Sequence, residues 1–133
     1  MNSVKQFGQW LLLLACLYSP LTVAEMDDWH FTGVQRIVAL GDVHGAYGAL
    51  VETLQATALV DGEVSWIGRD THLVFTGDLL DRGPGSRQVM DLVMRLEQEA
   101  ELVGGQVHLM LGNHEVMNLI GDVRYVAVAE YAA

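Results

Sequence analysis

HLVFTGDLLDRGPG, residues 72–85, decides the fold. Its first five residues form an apolar run of strand length. The chain then turns through Gly77-Asp78 into a polar segment closed by Gly83-Pro84-Gly85. A short apolar run bounded by glycine turn signals reads as a buried strand. The same grammar occurs twice more. Residues 36–40 (RIVAL) lead into GDVHG at 41–45, and residues 107–111 (VHLML) lead into GNHE at 112–115.

Between these runs the apolar period changes from two to about 3.6. Residues 47–59 set Leu50, Leu54 and Ala58 on one helical face, with Val51 beside them. Residues 86–103 set Val89, Leu92, Val93, Leu96 and Ala100 on one face, and Arg87, Asp91, Arg95 and Glu99 on the other, with Ser86 as the expected N-cap. Residues 60–70 read as a polar, turn-rich linker. Strand, helix, strand, helix, strand predicts an α/β fold with a parallel sheet and crossover helices.

Ligands of open parallel sheets sit just beyond the C-terminal strand ends. Each expected strand delivers polar residues there: Asp42 and His44, then Asp78, Asp81 and Arg82, then Asn113 and His114. A single Asp after a strand is commonly a turn or cap residue. Three clusters in register form a site. Carboxylate, imidazole and amide oxygen without thiolate suit Mn²⁺ or Fe, with Zn²⁺ as an alternative, and the repulsion among so many carboxylates itself calls for cations. Asp78 is placed to bridge two ions. His30, His72 and His108 fall outside the clusters and read as surface or packing residues.

Composition narrows the function further. The 133 residues carry a formal charge of −10, with 51% hydrophobic and 18% charged residues. That excludes a disordered acidic tail. The six arginines are scattered, and Lys5 is the sole lysine, so no cationic stripe for nucleic acid exists. The single cysteine, Cys16, excludes an internal disulfide and a cysteine-cluster metal site. No run reaches the ~20 apolar residues of a membrane span. Lys5, the apolar run at 10–18 and small residues at Thr22 and Ala24 predict a signal peptide over residues 1–24, with residues 25–133 exported to the periplasm or secreted. A lipoprotein box ending at Cys16 is the weaker alternative, because Leu14 fits its middle position poorly.

The order and spacing of GDVHG, GDLLDRG and GNHE resemble the metallophosphoesterases, in the phosphoprotein phosphatase branch. With the continuation GNHEVMNLIGDVRYV, the chain is similar over residues 36–128 to the bacterial Shewanella-like protein phosphatases. The resemblance implies the N-terminal βαβαβ half of a metallophosphoesterase β-sandwich flanked by helices. It implies a metal-dependent phosphomonoesterase with two divalent ions and a metal-bridging hydroxide, acting on a phosphorylated protein or a small phosphate ester. Asp42 and His44 then resemble ligands of the first ion, Asp78 the bridge and Asn113 a ligand of the second. His114 resembles the general acid, Asp81 its carboxylate partner, and Arg82 a clamp on the phosphate oxygens, a contact in which Asn113 would share. Glu115 resembles an acceptor behind the ligands. The family's further histidines and arginine do not follow: no histidine comes after His114. The sequence therefore reads as an incomplete copy, in which the missing strands would leave one sheet face uncovered, although strands of this composition are buried on both faces in such folds. Two alternatives stand beside the phosphatase. A dinucleoside polyphosphate hydrolase shares these motifs but usually carries Ala where this chain has Asp81, and a non-catalytic metal- or phosphate-binding remnant would fit the missing half.

Overall fold

In the computed structural model, residues 30–132 are described; the expected leader and Cys16 lie outside them. Residues 32–133 form one compact unit. Its elements run β1 (Ile37–Leu40), α1 (Tyr47–Ala56), β2 (His72–Phe75), α2 (Ser86–Glu101), β3 (Gln106–Leu109), α3 (Asn113–Leu119) and a 3₁₀ turn (Val128–Ala132). The three strands are parallel in the order β1-β2-β3, with Ile37 opposite His72 and His72 opposite Gln106.

Because the order advances in one direction, two crossovers of the same hand put both helices on the same face. Leu50 and Leu54 of α1, and Val89, Leu92, Val93, Leu96 and Ala100 of α2, bury with Leu73, Phe75 and Val107 in a single core. The opposite face is left open, in line with the expectation of one uncovered sheet face. β2 alternates, with Leu73 and Phe75 buried and His72 and Val74 half-buried, and Ile37 on β1 is 63% exposed.

Two helix ends differ from expectation for local reasons. α1 stops at Ala56, just before Ala58 takes a left-handed φ of 52°, and the Thr57 hydroxyl donates back to the carbonyls of Thr53 (2.8 Å) and Leu54 (3.1 Å) at that end. Ala58 is consequently exposed rather than in the core. The N-cap of α2 is Gly85, not Ser86. The Ser86 hydroxyl instead accepts the Asp81 N–H (3.2 Å), while the Ser86 N–H reaches Glu130 Oε1 (2.6 Å). The outer face of α2 matches its reading, with Arg87–Asp91 and Arg95–Glu99 ion pairs four residues apart. No described helix is long and apolar enough to cross a membrane.

α3 was not expected. Its signal was present in Gly112, followed three residues later by Glu115 and then by an apolar stretch. Glu115 Oε2 accepts the Gly112 N–H at 2.8 Å and so closes the first turn.

Candidate active site

The three turns beyond the strand ends lock together through their backbones. His44 N–H donates to the Asp78 carbonyl (3.0 Å), Gly45 N–H to Leu79 (2.8 Å) and Gly83 N–H to His44 (2.9 Å). Close approach explains two glycines. A Cβ on Gly45 would meet the Gly83 carbonyl oxygen at 2.6 Å, and one on Gly77, at φ 101°, would run into the Gly112 backbone. Of the eight described non-glycine residues with positive φ, five are Asp42, His44, Asp78, Asp81 and Arg82. Each costs of order 1–3 kcal/mol and persists only where its surroundings over-determine it. Strain is concentrated where the polar clusters meet.

Glu115 supplies much of that determination. Its carboxylate, buried beneath the turns, accepts backbone N–H groups from Asp78 (2.7 Å), Leu79 (2.8 Å), Leu80 (3.2 Å) and Gly112. One side chain thus ties the second turn to the third.

Asp42, His44 and Asp78 each bring one ligand atom within 4.8 Å of the others. His44 Nδ1 lies 3.1 Å from the Leu80 carbonyl. A carbonyl only accepts, so Nδ1 carries the proton and Nε2 keeps its lone pair. That lone pair lies 3.8 Å from Asp42 Oδ1. Bonds of ~2.0–2.2 Å from a cation leave neighbouring ligand atoms ~3–4 Å apart, so the trio fits a divalent ion with slight closure. Asp78 Oδ1 also accepts the His114 N–H at 2.9 Å. Asn113 opens α3 and is exposed. It follows Gly112, which lies so close to the Asp78 carboxylate that no Cβ would fit.

His114 and Asp81 form a buried pair, Nδ1 to Oδ2 at 2.8 Å, with both side chains 2% exposed. Arg82 Nη2 stands 3.2 Å from His114 Nε2. A guanidinium only donates, so Nε2 accepts, and Nδ1–H is the bond to Asp81. Arg82, expected on phosphate, here rests on the imidazole. The His44 and His114 rings meet edge to face at 4.7 Å, which joins the metal-ligand trio to the His–Asp pair.

Three contributors were missed from sequence. Tyr125 packs its ring 5.2 Å from His114 and accepts the Arg82 N–H on its carbonyl (2.8 Å). Ser86 braces Asp81, and Asn118 reaches the same carboxylate. Only Asn118 had a signal, since it lies four residues after His114 on a helix no pattern had placed. His72 and His108 lie together on the sheet face away from the helices, His108 Nε2 2.9 Å from His72 Nδ1. Burial, and then the neighbouring His72, hold the His108 imidazole below the usual histidine range.

A family model described as calcineurin-like phosphoesterase matches residues 35–131. The chain belongs to the calcineurin-like phosphoesterase family. It is 38% identical to Shewanella-like protein phosphatase 2 of Arabidopsis thaliana over 107 residues, 80% of this chain and 27% of that protein. It is 42% identical over 77 residues to a symmetrical bis(5'-nucleosyl)-tetraphosphatase of Cronobacter sakazakii, covering 58% of this chain and 22% of that enzyme. The crystal structure of a cold-active protein-tyrosine phosphatase from a psychrophilic Shewanella species superposes with a TM-score of 0.71 at 43% identity, over 72% of this chain and 29% of that one. The chain thus spans less than a third of the length of each of these relatives.

Proposed function

We propose that this protein is a metal-dependent phosphomonoesterase acting on a phosphorylated protein or a small phosphate ester. The observation that carries the reading is the buried His114–Asp81 pair set edge-on against the Asp42, His44 and Asp78 trio. In this reading Asp42, His44 and Asp78 hold one divalent ion, and Asp78 with the Asn113 carboxamide contributes to a second, Mn²⁺ or Fe being favoured and Zn²⁺ the alternative. Bound there, the ions supply Lewis acidity to the phosphoryl oxygens and an activated water.

The remaining steps fall to the chain's own residues. Arg82 exchanges its bond to His114 Nε2 for forked contacts to phosphate oxygens. That exchange frees Nε2 to take up a proton from solvent and then give it to the leaving oxygen, while Asp81 holds Nδ1–H and steadies the imidazolium in between. Glu115 keeps the Asp78 and Gly112 backbones in place throughout. The tetraphosphatase likeness supports a second substrate class, dinucleoside polyphosphates. The Asp81–His114 pair favours the monoester. Export, on the pattern of residues 1–24, is part of the same proposal.

The test is hydrolysis of p-nitrophenyl phosphate with and without Mn²⁺. Turnover should require metal, and His114→Ala should cost about 10²–10⁴-fold on alkyl phosphates. The loss should be smaller on p-nitrophenyl phosphate, whose leaving group needs little protonation. Full turnover after exhaustive chelation overturns the reading. Tight Mn²⁺ and phosphate binding without turnover would instead favour the non-catalytic binding module.

A further inference from the structure

Asn118 stands one helical turn after His114 on α3, so the two side chains share a face. Its carboxamide nitrogen donates to Asp81 Oδ1 at 2.9 Å and to the His114 carbonyl at 2.9 Å. An amide NH₂ has two protons, and both are used. The Asp81 carboxylate, 2% exposed, thereby has a partner on each oxygen: Asn118 on Oδ1 and His114 Nδ1–H on Oδ2.

We propose that Asn118 is a positioning residue that sets the rotation of the Asp81 carboxylate and, through it, the plane of the His114 imidazole. The terminal torsion of an aspartate is broad and intrinsically weakly fixed. A single bond from His114 would let the carboxylate and imidazole turn together. A second donor, carried on the same helix as the imidazole, removes that freedom. The Ser86 hydroxyl fixes the Asp81 backbone but leaves the carboxylate torsion open. Asp81 is buried, where an unpaired carboxylate oxygen would be costly.

The inference rests on the reading of His114 as proton donor, but its test does not use turnover. The reporter is the His114 Nδ1–H resonance in the full chain without added metal. Arg82 guards Nε2 whatever stands at 118, so the bond to Asp81 is followed rather than the tautomer. Asn118→Leu removes the donor with the same branched skeleton, and Asn118→Asp keeps the shape while turning an acceptor towards Asp81 Oδ1. Wild type should show a low-field, slowly exchanging Nδ1–H. In both variants its exchange should accelerate on the order of tenfold or more, the loss expected for a hydrogen bond to a charged group, with backbone amides of the sheet unchanged. An unaltered Nδ1–H in both variants overturns the proposal and leaves Asn118 as a brace within the helix. Should the variants not fold, wild type decides alone. The Asn118 carboxamide proton facing Asp81 must be as protected as the one facing the His114 carbonyl, and rapid exchange of the former overturns the proposal. Neither readout depends on hydrolysis, so a failed phosphoesterase assay and a failed positioning role remain separate results.

Discussion

Replacing Glu115 by Gln should destabilise the whole unit although it changes one atom type at constant volume. The wild-type carboxylate accepts four backbone N–H groups, Leu79 and Leu80 on Oε1 and Asp78 and Gly112 on Oε2. A carboxamide has one oxygen, so whichever way it turns, two of the four donors face an NH₂ group. Each buried donor left unpaired costs about 1–3 kcal/mol, which gives about 2–6 kcal/mol for the pair. A single domain is stable by only about 5–15 kcal/mol, so the variant should sit near or below its folding threshold at 37 °C. The two bonded pairs span the second and third turns, so Mn²⁺ affinity at Asp42, His44 and Asp78 should fall with stability. Urea unfolding followed by tryptophan fluorescence measures the first effect and calorimetry the second. Glu97→Gln, at an exposed position of α2, is the control and should change little. A Glu115→Gln loss below about 0.5 kcal/mol, the scale of an ordinary surface substitution, would refute the assignment of Glu115 as the tie between the turns.

Asp42→Asn and His44→Ala should each weaken Mn²⁺ binding by about tenfold or more, whereas His108→Ala should leave it unchanged; calorimetry showing equal losses would misplace the site. Gly77→Ala, at φ 101° with the Gly112 backbone against its Cβ position, should cost about 2–5 kcal/mol, while Gly62→Ala, with open space beside it, should be nearly neutral by the same urea midpoint. His108 binds its proton less readily in the folded than in the unfolded chain, whose reference value is 6.5, because burial and His72 oppose the charge. Protonation therefore favours the unfolded state. This contribution to instability is absent well above pH 6.5 and grows as pH falls below it. His108→Gln should flatten the decline in unfolding midpoint between pH 7 and about pH 5.5, and identical slopes would remove His108 as the cause.

The amino-acid sequence by itself determined the elements that rest on local pattern. Residues 72–85 carry a strand and its turn in one stretch, and the 3.6-residue period of residues 86–103 needs no knowledge of the partner it packs against. Because all three polar clusters directly follow parallel strands, their convergence at one sheet edge was also legible, down to Asp42, His44 and Asp78 as neighbours. Tertiary structure alone decided what each side chain does on arrival. The Ser86 hydroxyl went to Asp81 instead of capping α2, Arg82 settled on His114, and Glu115 gathered backbone donors 35–37 residues away. Which sheet face lies under the helices followed from the hand of two crossovers, not from the strand composition. Tyr125 and Asn118 entered the site only because the segment after GNHE forms a helix and then folds back over Arg82 and Asp81. The division has one physical cause. Periodicity and turn chemistry are set by neighbours a few residues away, whereas hydrogen-bond partners are chosen by whichever donors and acceptors the closed chain brings within about 3 Å.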